Sequence, residues 1–437
     1  MFHYEQKGSH MRSSVTKYTQ QLDGFQVVRE DLITDGCNVE ELTKLARLAC
    51  HRRKTSRILV RVERTKYRCP VCGNAHVAAY AIRERIVHGI PNANVPVEIV
   101  FTIHRIYCPD CGKAHMEEIP FLSGKKSRLT KELARTVMAF RSAMSIKDTA
   151  EALGLSWDQV KNAEKSCLAR QFARVSLHKV EAITIDEMHL FPKAKSDMRY
   201  VTIVRDAKTG DVLHIGDGKG EKALKGLEDE LRRHRRRIRY VCIDMSNAYA
   251  NWVRAFLPDA DIVYDHFHLI KAMNDRLDKV RRRTMNRLDE DMKKVIKGQR
   301  YTLMKNLEDL SHREKDRLRE MRCTFSELSD VHGMKEQLRG IYAFAQYEYG
   351  ARLLLEDWCE TARATKVPEL GTMAKTIEEH MDGILGYWKY GKACNSGAEG
   401  FNTKIRWLIK QAYGLRDREY FKLKIFALPD TETNRGL

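Results

Sequence analysis

Three carboxylates are the residues best placed to do chemistry. Asp186 closes the apolar run Ala182-Ile183-Thr184-Ile185, and Asp244 closes Tyr240-Val241-Cys242-Ile243. Glu399 opens the helical stretch that runs to Lys410. Two aspartates at the tips of buried strands, with a glutamate on a late helix, can converge on a pair of divalent cations. Such a pair stabilises the attacking and leaving oxygens of in-line phosphoryl transfer on nucleic acid. Each acid also has a plainer reading. Asp186 can be a strand-end turn residue with Glu187 as a rival ligand, Asp244 can cap a helix starting near Asn247, and Glu399 can complete a capping box with Ser396.

Cysteine supplies a second site. Cys69-Pro-Val-Cys72-Gly and Cys108-Pro-Asp-Cys111-Gly are near copies. A two-residue spacing lets both thiolates of a knuckle reach one ion, and four thiolates complete a closed tetrahedral structural Zn²⁺ site. A redox motif would more often open a helix, whereas strand-like sequence follows these pairs. The other cysteines are scattered, as expected in a reducing cytosol.

The chain has 437 residues, with 78 Lys and Arg against 59 Asp and Glu, a formal charge of +19. That surplus favours a polyanionic partner, with DNA or RNA the default. Six arginines, Arg232, Arg233, Arg235, Arg236, Arg237 and Arg239, fall within eight residues just ahead of the Asp244 strand, so that in sequence the run adjoins the candidate metal site. No apolar run is long enough to span a membrane, and no signal region opens the chain.

The elements that must position these groups follow from periodicity. Residues 1–11 contain Gly-Ser-His-Met and read as an expression scar, and 12–54 as a leader with one helix at Val39–Ala49. Alternating runs over 55–120 predict a β module around the cysteines. Over 121–175 the period becomes helical: Leu129–Met144 is followed by two helix starts, Ser145 and Ser156, with Gly154 at the turn between them. This spacing matches a DNA-reading helix-turn-helix, whose second helix would present Trp157, Asp158, Gln159, Lys161, Asn162 and Lys165. Strands at 181–186, 199–205, 211–215, 238–244 and 261–264, with a helix near 220–236, predict a mixed α/β sheet over 176–265. Residues 266–385 read as an all-α block with breaks near Gly298, Gly333 and Pro368. The segment 386–437 brings in the Glu399 helix, on which Asn402, Arg406 and Lys410 share the glutamate's face. Arg235, Arg236, Arg281, Arg406 and Lys410 are the candidate phosphate contacts outside the N-terminal modules.

The order of these motifs is itself informative. The knuckles, the paired helices, Ile185-Asp186-Glu187, Ile243-Asp244-Met-Ser, Tyr264-Asp265-His266-Phe267-His268 and Ser396-Gly-Ala-Glu399-Gly-Phe-Asn402 occur in succession. The sequence resembles the ISL-three family of bacterial insertion-sequence transposases from about residue 40 onward. That resemblance implies an RNase H-like core with a DDE triad, here Asp186, Asp244 and Glu399, interrupted by a helical insertion before the glutamate. The 155 residues between Asp244 and Glu399, against 58 between the aspartates, leave room for one. It further implies Mg²⁺ or Mn²⁺ at the triad, DNA cleavage and strand transfer, terminal inverted repeats and target DNA as partners, a homodimer assembled on DNA, and a cytoplasmic, nucleoid-associated bacterial protein. Phe401 stands where the family commonly has asparagine. His268 matches the family's Asp-x-Phe-His pattern, but neither it nor His266 is assigned to catalysis. A structure-specific metal-dependent nuclease and a transposase-derived DNA-binding regulator are the alternatives; the intact acidic triad speaks against the regulator.

Overall fold

The computed structural model describes residues 22–33, 57–92, 95–191, 199–393, 396–411 and 417–429. The expression scar and the Val39–Ala49 helix lie outside them. The chain divides into two compact units between Ala173 and Arg174, and the architecture is mixed α and β with one sheet in each.

In the first unit, β1 (Phe25–Ile33), β2 (Arg57–Arg64), β3 (Ala78–Asn92), β4 (Val95–Cys108) and β5 (Lys113–Met116) form a sheet of order β1-β2-β4-β3, with β5 on β4. Strand β1 falls within what the sequence suggests is a leader. Its own pattern gives little warning, because Val28 and Leu32 are half or more exposed. Phe25 anchors it, packing edge-on against Phe101 and Phe121 at 6.0 and 5.1 Å. The core beneath is β-branched and aromatic: Val60, Val62, Val87, Ile99, Phe101 and Phe121.

Three helices follow in this unit: α1 (Lys131–Arg141), α2 (Ile146–Leu153) and α3 (Trp157–Gln171). Ser145 caps α2 by accepting from Asp148 N, and Ser156 and Gln159 form a full capping box on α3. Gly154 turns the chain between them in the left-handed region at φ 63°. A Cβ there would also stand 2.6 Å from Pro96 Cγ, so glycine is required twice over. Leu133, Val137, Leu153 and Val160 close a small core, and Arg141 Nε meets the buried Glu164 at 2.7 Å.

The second unit holds β6 (Ala182–His189), β7 (Tyr200–Asp206), β8 (Val212–Asp217), β9 (Tyr240–Ile243) and β10 (Asp261–Tyr264), in the order β10-β9-β6-β7-β8. Strands β6, β9 and β10 run parallel, while β7 is antiparallel to both neighbours. Ile183, Ile185, Val241 and Ile243 point to one face, under α4 (Lys225–Leu231) and α5 (Asn247–Phe256). The single helix expected near 220–236 is instead α4 flanked by 3₁₀ turns at Glu221–Leu224 and Arg235–Arg237.

The helical block comprises α6 (His266–Asn286), α7 (Glu290–Ile296), α8 (Arg300–Met304), α9 (His312–Thr324), α10 (Ser326–Phe344), α11 (Glu348–Ala364), α12 (Pro368–Glu379) and α13 (Met381–Lys389). Gly298 and Pro368 do mark breaks, but Gly333 sits inside α10. One internal glycine costs a helix only about 1 kcal/mol, which burial of Leu328, Val331, Leu338 and Ile341 along α10 outweighs. Trp358 and Trp388 are buried with their indole N–H groups satisfied by Met334 O and Ala345 O. One apolar cluster runs without interruption from Ile183 through Met273 and Leu338 to Trp388, so the block shares its core with the sheet. The opposite face of the sheet is covered by α14 (Ser396–Gln411) and α15 (Arg418–Phe426), where Phe401, Ile405, Phe421 and Ile425 pack on Met188, Val201 and Ile203.

Candidate functional site

Strand β6 continues three residues past Asp186, so this aspartate lies within a strand and not at its tip. The parallel register pairs Thr184 with Cys242; continued two residues, it leads to Asp186 and to Asp244 just past the end of β9, and the charge of Asp186 does act on Asp244. Alternation puts both on the face that α14 covers, since Ile185 and Ile243 occupy the other. Asp186 is held at both oxygens: Glu187 N donates to Oδ1 at 2.8 Å and Asn402 Nδ2 to Oδ2 at 2.7 Å. Asp244 accepts from Ser246 N at 3.0 Å. Burial raises its pKa, and the charges of Asp186 and Asp265 push the same way, against His268. A buried carboxylate that a neighbouring carboxylate makes harder to ionise, as Asp186 does Asp244, is what a divalent cation would relieve.

Glu399 stands on α14 one turn before Asn402, on the same helix face and exposed to solvent. Among the described residues, its carboxylate does not join those of the two aspartates in one cluster of metal ligands. The helix is nevertheless seated firmly beside them. Arg205, only 8% exposed, reaches Gly397 O at 3.4 Å and lies 4.8 Å over the Phe401 ring. Burial lowers the pKa of that guanidinium and the charge of Asp186 raises it. Phe401 thus has a structural task as the lid of a buried cation. Arg406 and Lys410 are exposed further along, Lys410 over the Trp407 ring at 5.6 Å.

Glu187 lands on the opposite face of the sheet, as strand alternation requires, and accepts from Tyr249 Oη at 3.2 Å. Desolvation raises its pKa. The same tyrosine accepts from Gly220 N at 3.2 Å and meets Thr202 Oγ1 at 2.9 Å. These contacts fasten the loop after β8, where Gly218 and Gly220 adopt φ of 88° and 75°. The loop displays the exposed Lys219, 5.1 Å over the Tyr200 ring and within electrostatic reach of Glu187. Lys219 is not among the residues that the sequence singles out; Gly-Lys-Gly directly after a strand is the signal that could find it. His266 packs against Tyr342 and Tyr387 at 5.4 and 5.3 Å. His268, half-buried on the first turn of α6, faces the field of Asp244.

In the first unit the four knuckle cysteines form the one metal-ligand cluster among the described residues. Cys69 and Cys111 sulfurs are 3.8 Å apart, Cys72 and Cys108 3.5 Å. A tetrahedron with Zn–S bonds of about 2.3 Å has edges of about 3.8 Å, so the cluster is compatible with structural zinc. Backbone N–H of Cys72 is foremost in drawing the Cys69 thiol down to about 6. The thiols of Cys72 and Cys111 are instead raised by sharing hydrogen bonds with their neighbours, a mutual opposition that a metal would relieve.

The remaining candidates fare differently. Trp157 and Asn162 are exposed on α3, with Lys161 Nζ 5.7 Å over the Trp157 ring, and Lys165 is half-buried. Gln159 Oε1 accepts from Ser156 N at 2.8 Å, so its amide is partly committed to the cap. Arg281 departs from the expectation of a free phosphate contact. Its side chain is 13% exposed and forks onto Asp278 at 2.9 and 2.8 Å. Arg283 is likewise bound to Glu369 and Glu327, which leaves Arg282 as the exposed member of the three. Local sequence shows three basic residues; the carboxylates that claim two of them include ones 44 and 86 positions away. Arg235 and Arg236 are exposed, but ahead of the start of β9, whereas Asp244 follows its end.

Comparison with known proteins identifies the family. Residues 183–425 match the family model of the ISL3-type DDE transposases, described simply as "Transposase". A transposase for insertion sequence element IS1001 from Bordetella parapertussis is 30% identical over 363 residues, covering 82% of this chain and 88% of that one. A transposase for IS1557 from Mycobacterium tuberculosis is 28% identical over 258 residues, 54% and 56% of the two chains. The Drosophila P element transposase in its strand transfer complex superposes loosely, with a TM-score of 0.39 and 10% identity over 71% of this chain and 95% of that one. By sequence over most of its length, the chain belongs to the ISL3 family of insertion-sequence transposases.

Proposed function

We propose that Asp186, Asp244 and Glu399 form the catalytic triad of this transposase, cutting the ends of its element and joining them to target DNA. The observation that carries the reading is that Asp186, within β6, acts electrostatically on Asp244, the residue just past the end of the parallel strand β9, with the Glu399 helix bonded to Asp186 through Asn402. The sheet order β8-β7-β6-β9-β10, with β7 alone reversed, supports an RNase H-like core. Mg²⁺ or Mn²⁺, held by the three carboxylates, would supply the charge that stabilises attacking and leaving oxygens. The chain's own residues do the positioning. Asn402 orients Asp186, Arg205 seats α14, and Lys219, Arg406 and Lys410 offer cations to phosphates near the carboxylates. No protein nucleophile is required, because water opens the phosphodiester and the freed 3′-hydroxyl attacks the second strand.

The four-cysteine module and α1–α3 would read the terminal inverted repeats, with zinc holding the module's knuckles and α3 in the major groove. Trp157, Lys161, Asn162 and Lys165 are the contact residues on that helix, and Gln159 contributes its free amide N–H groups. Assembly as a homodimer on DNA belongs to the same reading, because each element has two ends. The helical block would serve assembly more than chemistry.

Strand joining is the decisive test. Purified protein is given Mg²⁺ and a labelled duplex carrying an end of the element, together with a plasmid target. Covalent transfer of label to the plasmid is expected from wild type and from none of Asp186→Asn, Asp244→Asn and Glu399→Gln. Hydrolysed ends without transfer would identify a nuclease instead, and binding without cleavage a regulator.

A further inference from the structure

The arginine run adjoins the candidate metal site in sequence, but the fold separates the two. Strand β9 begins at Tyr240 and ends at Ile243; the arginines precede it and Asp244 follows. At about 3.3 Å per residue the strand alone puts roughly 13 Å between them. The Debye length at physiological salt is about 8 Å, so these cations contribute little to the field at the carboxylates.

At their own edge they are concentrated. Arg232, Arg233, Arg235, Arg236, Arg237 and Arg239 are all exposed. The segment bearing them is not loose: Leu231 and Ile238, at either end, are 0% and 1% exposed. Arg237 donates to His178 O, and the His178 and His234 rings meet edge-on at 6.4 Å. A 3₁₀ turn fixes Arg235, Arg236 and Arg237 in succession. Two of the nearby acids are already neutralised, Glu181 by Lys208 at 2.6 Å and Asp261 by Lys389 at 2.6 Å, while Asp229 and Glu230 on the preceding helix are exposed. Arg232 has only a long pairing to Asp229 at 3.9 Å. Among the described residues, Arg233, Arg235 and Arg236 make no ion pair. An anchored fork of unpaired guanidiniums suits phosphate, because less side-chain freedom is lost on binding.

We infer that this edge, at the opposite end of the strands from the carboxylates, is a second duplex-binding surface that holds DNA backbone remote from the scissile phosphate. Its occupant is double-stranded DNA read through its phosphates, with no sequence preference of its own. The inference needs only the family's use of DNA and stands independently of the triad.

The test is a double-mutant cycle on the full chain. Arg233, Arg235 and Arg236 are all changed to Gln, with and without Asp186→Asn. Each protein is titrated onto a fluorescent 60-base-pair duplex, at about 50 to 300 mM salt. The arginine variant should fold normally by thermal melting and bind more weakly, with a log–log salt slope shallower by about 2 to 3. The weakening should be the same, within about twofold, in both backgrounds, because distant sites act independently. An unchanged slope overturns the surface. Coupling greater than about tenfold between the arginines and Asp186 overturns its remoteness. Equal weakening on poly-glutamate and on DNA would point to an acidic protein partner and also overturn it. Normal cleavage by the Asp186→Asn protein would instead refute the triad and leave this result standing.

Discussion

Asn402 Nδ2 donates to Asp186 Oδ2 across 2.7 Å, and that bond joins two residues 216 positions apart in the chain. It fixes the register between strand β6 and helix α14. Glu399 lies one turn further towards the helix N-terminus, so the same bond sets where that carboxylate can reach. Asn402→Ala should therefore lower cleavage by about 10- to 100-fold, the usual loss when a group orienting a metal ligand is removed. Glu399→Gln should lose more. If Glu399 were only a capping residue, Gln would serve nearly as well, and cleavage would persist.

Divalent metal should stabilise the protein in a pH-dependent way. Burial raises the pKa of Asp244, so its ionised form costs stability as pH rises through the folded value. A bound cation removes that cost. Mg²⁺ should raise the melting temperature at pH 7 to 8, and the gain should shrink as protons compete towards pH 5. Asp244→Asn should melt higher than wild type without metal and should gain less from Mg²⁺. Equal Mg²⁺ gains in both proteins would separate Asp244 from the metal.

The cysteine cluster should bring one zinc per chain, measurable by metal analysis of protein purified without chelator. Cys69→Ser or Cys111→Ser should abolish stoichiometric zinc and lower the melting of the first unit, while the second unit's transition stays in place. Protein lacking zinc yet fully folded in the first unit would contradict a structural metal.

His332 offers an acid-sensitive point within the helical block. It is fully buried on α10, neither ring nitrogen has a hydrogen-bond partner among the described residues, and burial first, then Lys335 and Arg322, lower its pKa to about 3. The unfolded chain takes up this proton near 6.5 and the folded chain only near 3. Stability is thus lost as pH falls between those values, by at most about 1.4 kcal/mol per pH unit. His332→Leu should flatten denaturant-unfolding stability between pH 7 and 5. An unchanged pH profile would show that other groups govern acid unfolding.

Much of this architecture was legible along the chain. The knuckles announced themselves because both halves of each pair are local. The capping box of Ser156 and Gln159 and the apolar runs before Asp186 and Asp244 are local too, and a short spacing is enough to read each of them. Strand β1 was not legible, since it buries one aromatic ring and little else. What tertiary structure alone decided are relations across long separations. Asp186 comes within electrostatic reach of Asp244 because β9 enters the sheet parallel to β6. Arg281 and Arg283 look free in sequence and are bound in the fold. Lys219 reaches the neighbourhood of Glu187 because Tyr249, on another element, ties its loop down. The arginine run ends five positions before Asp244 in the chain, and a strand lies between them. A strand carries its two ends apart, so residues near in sequence come to serve opposite edges of one sheet.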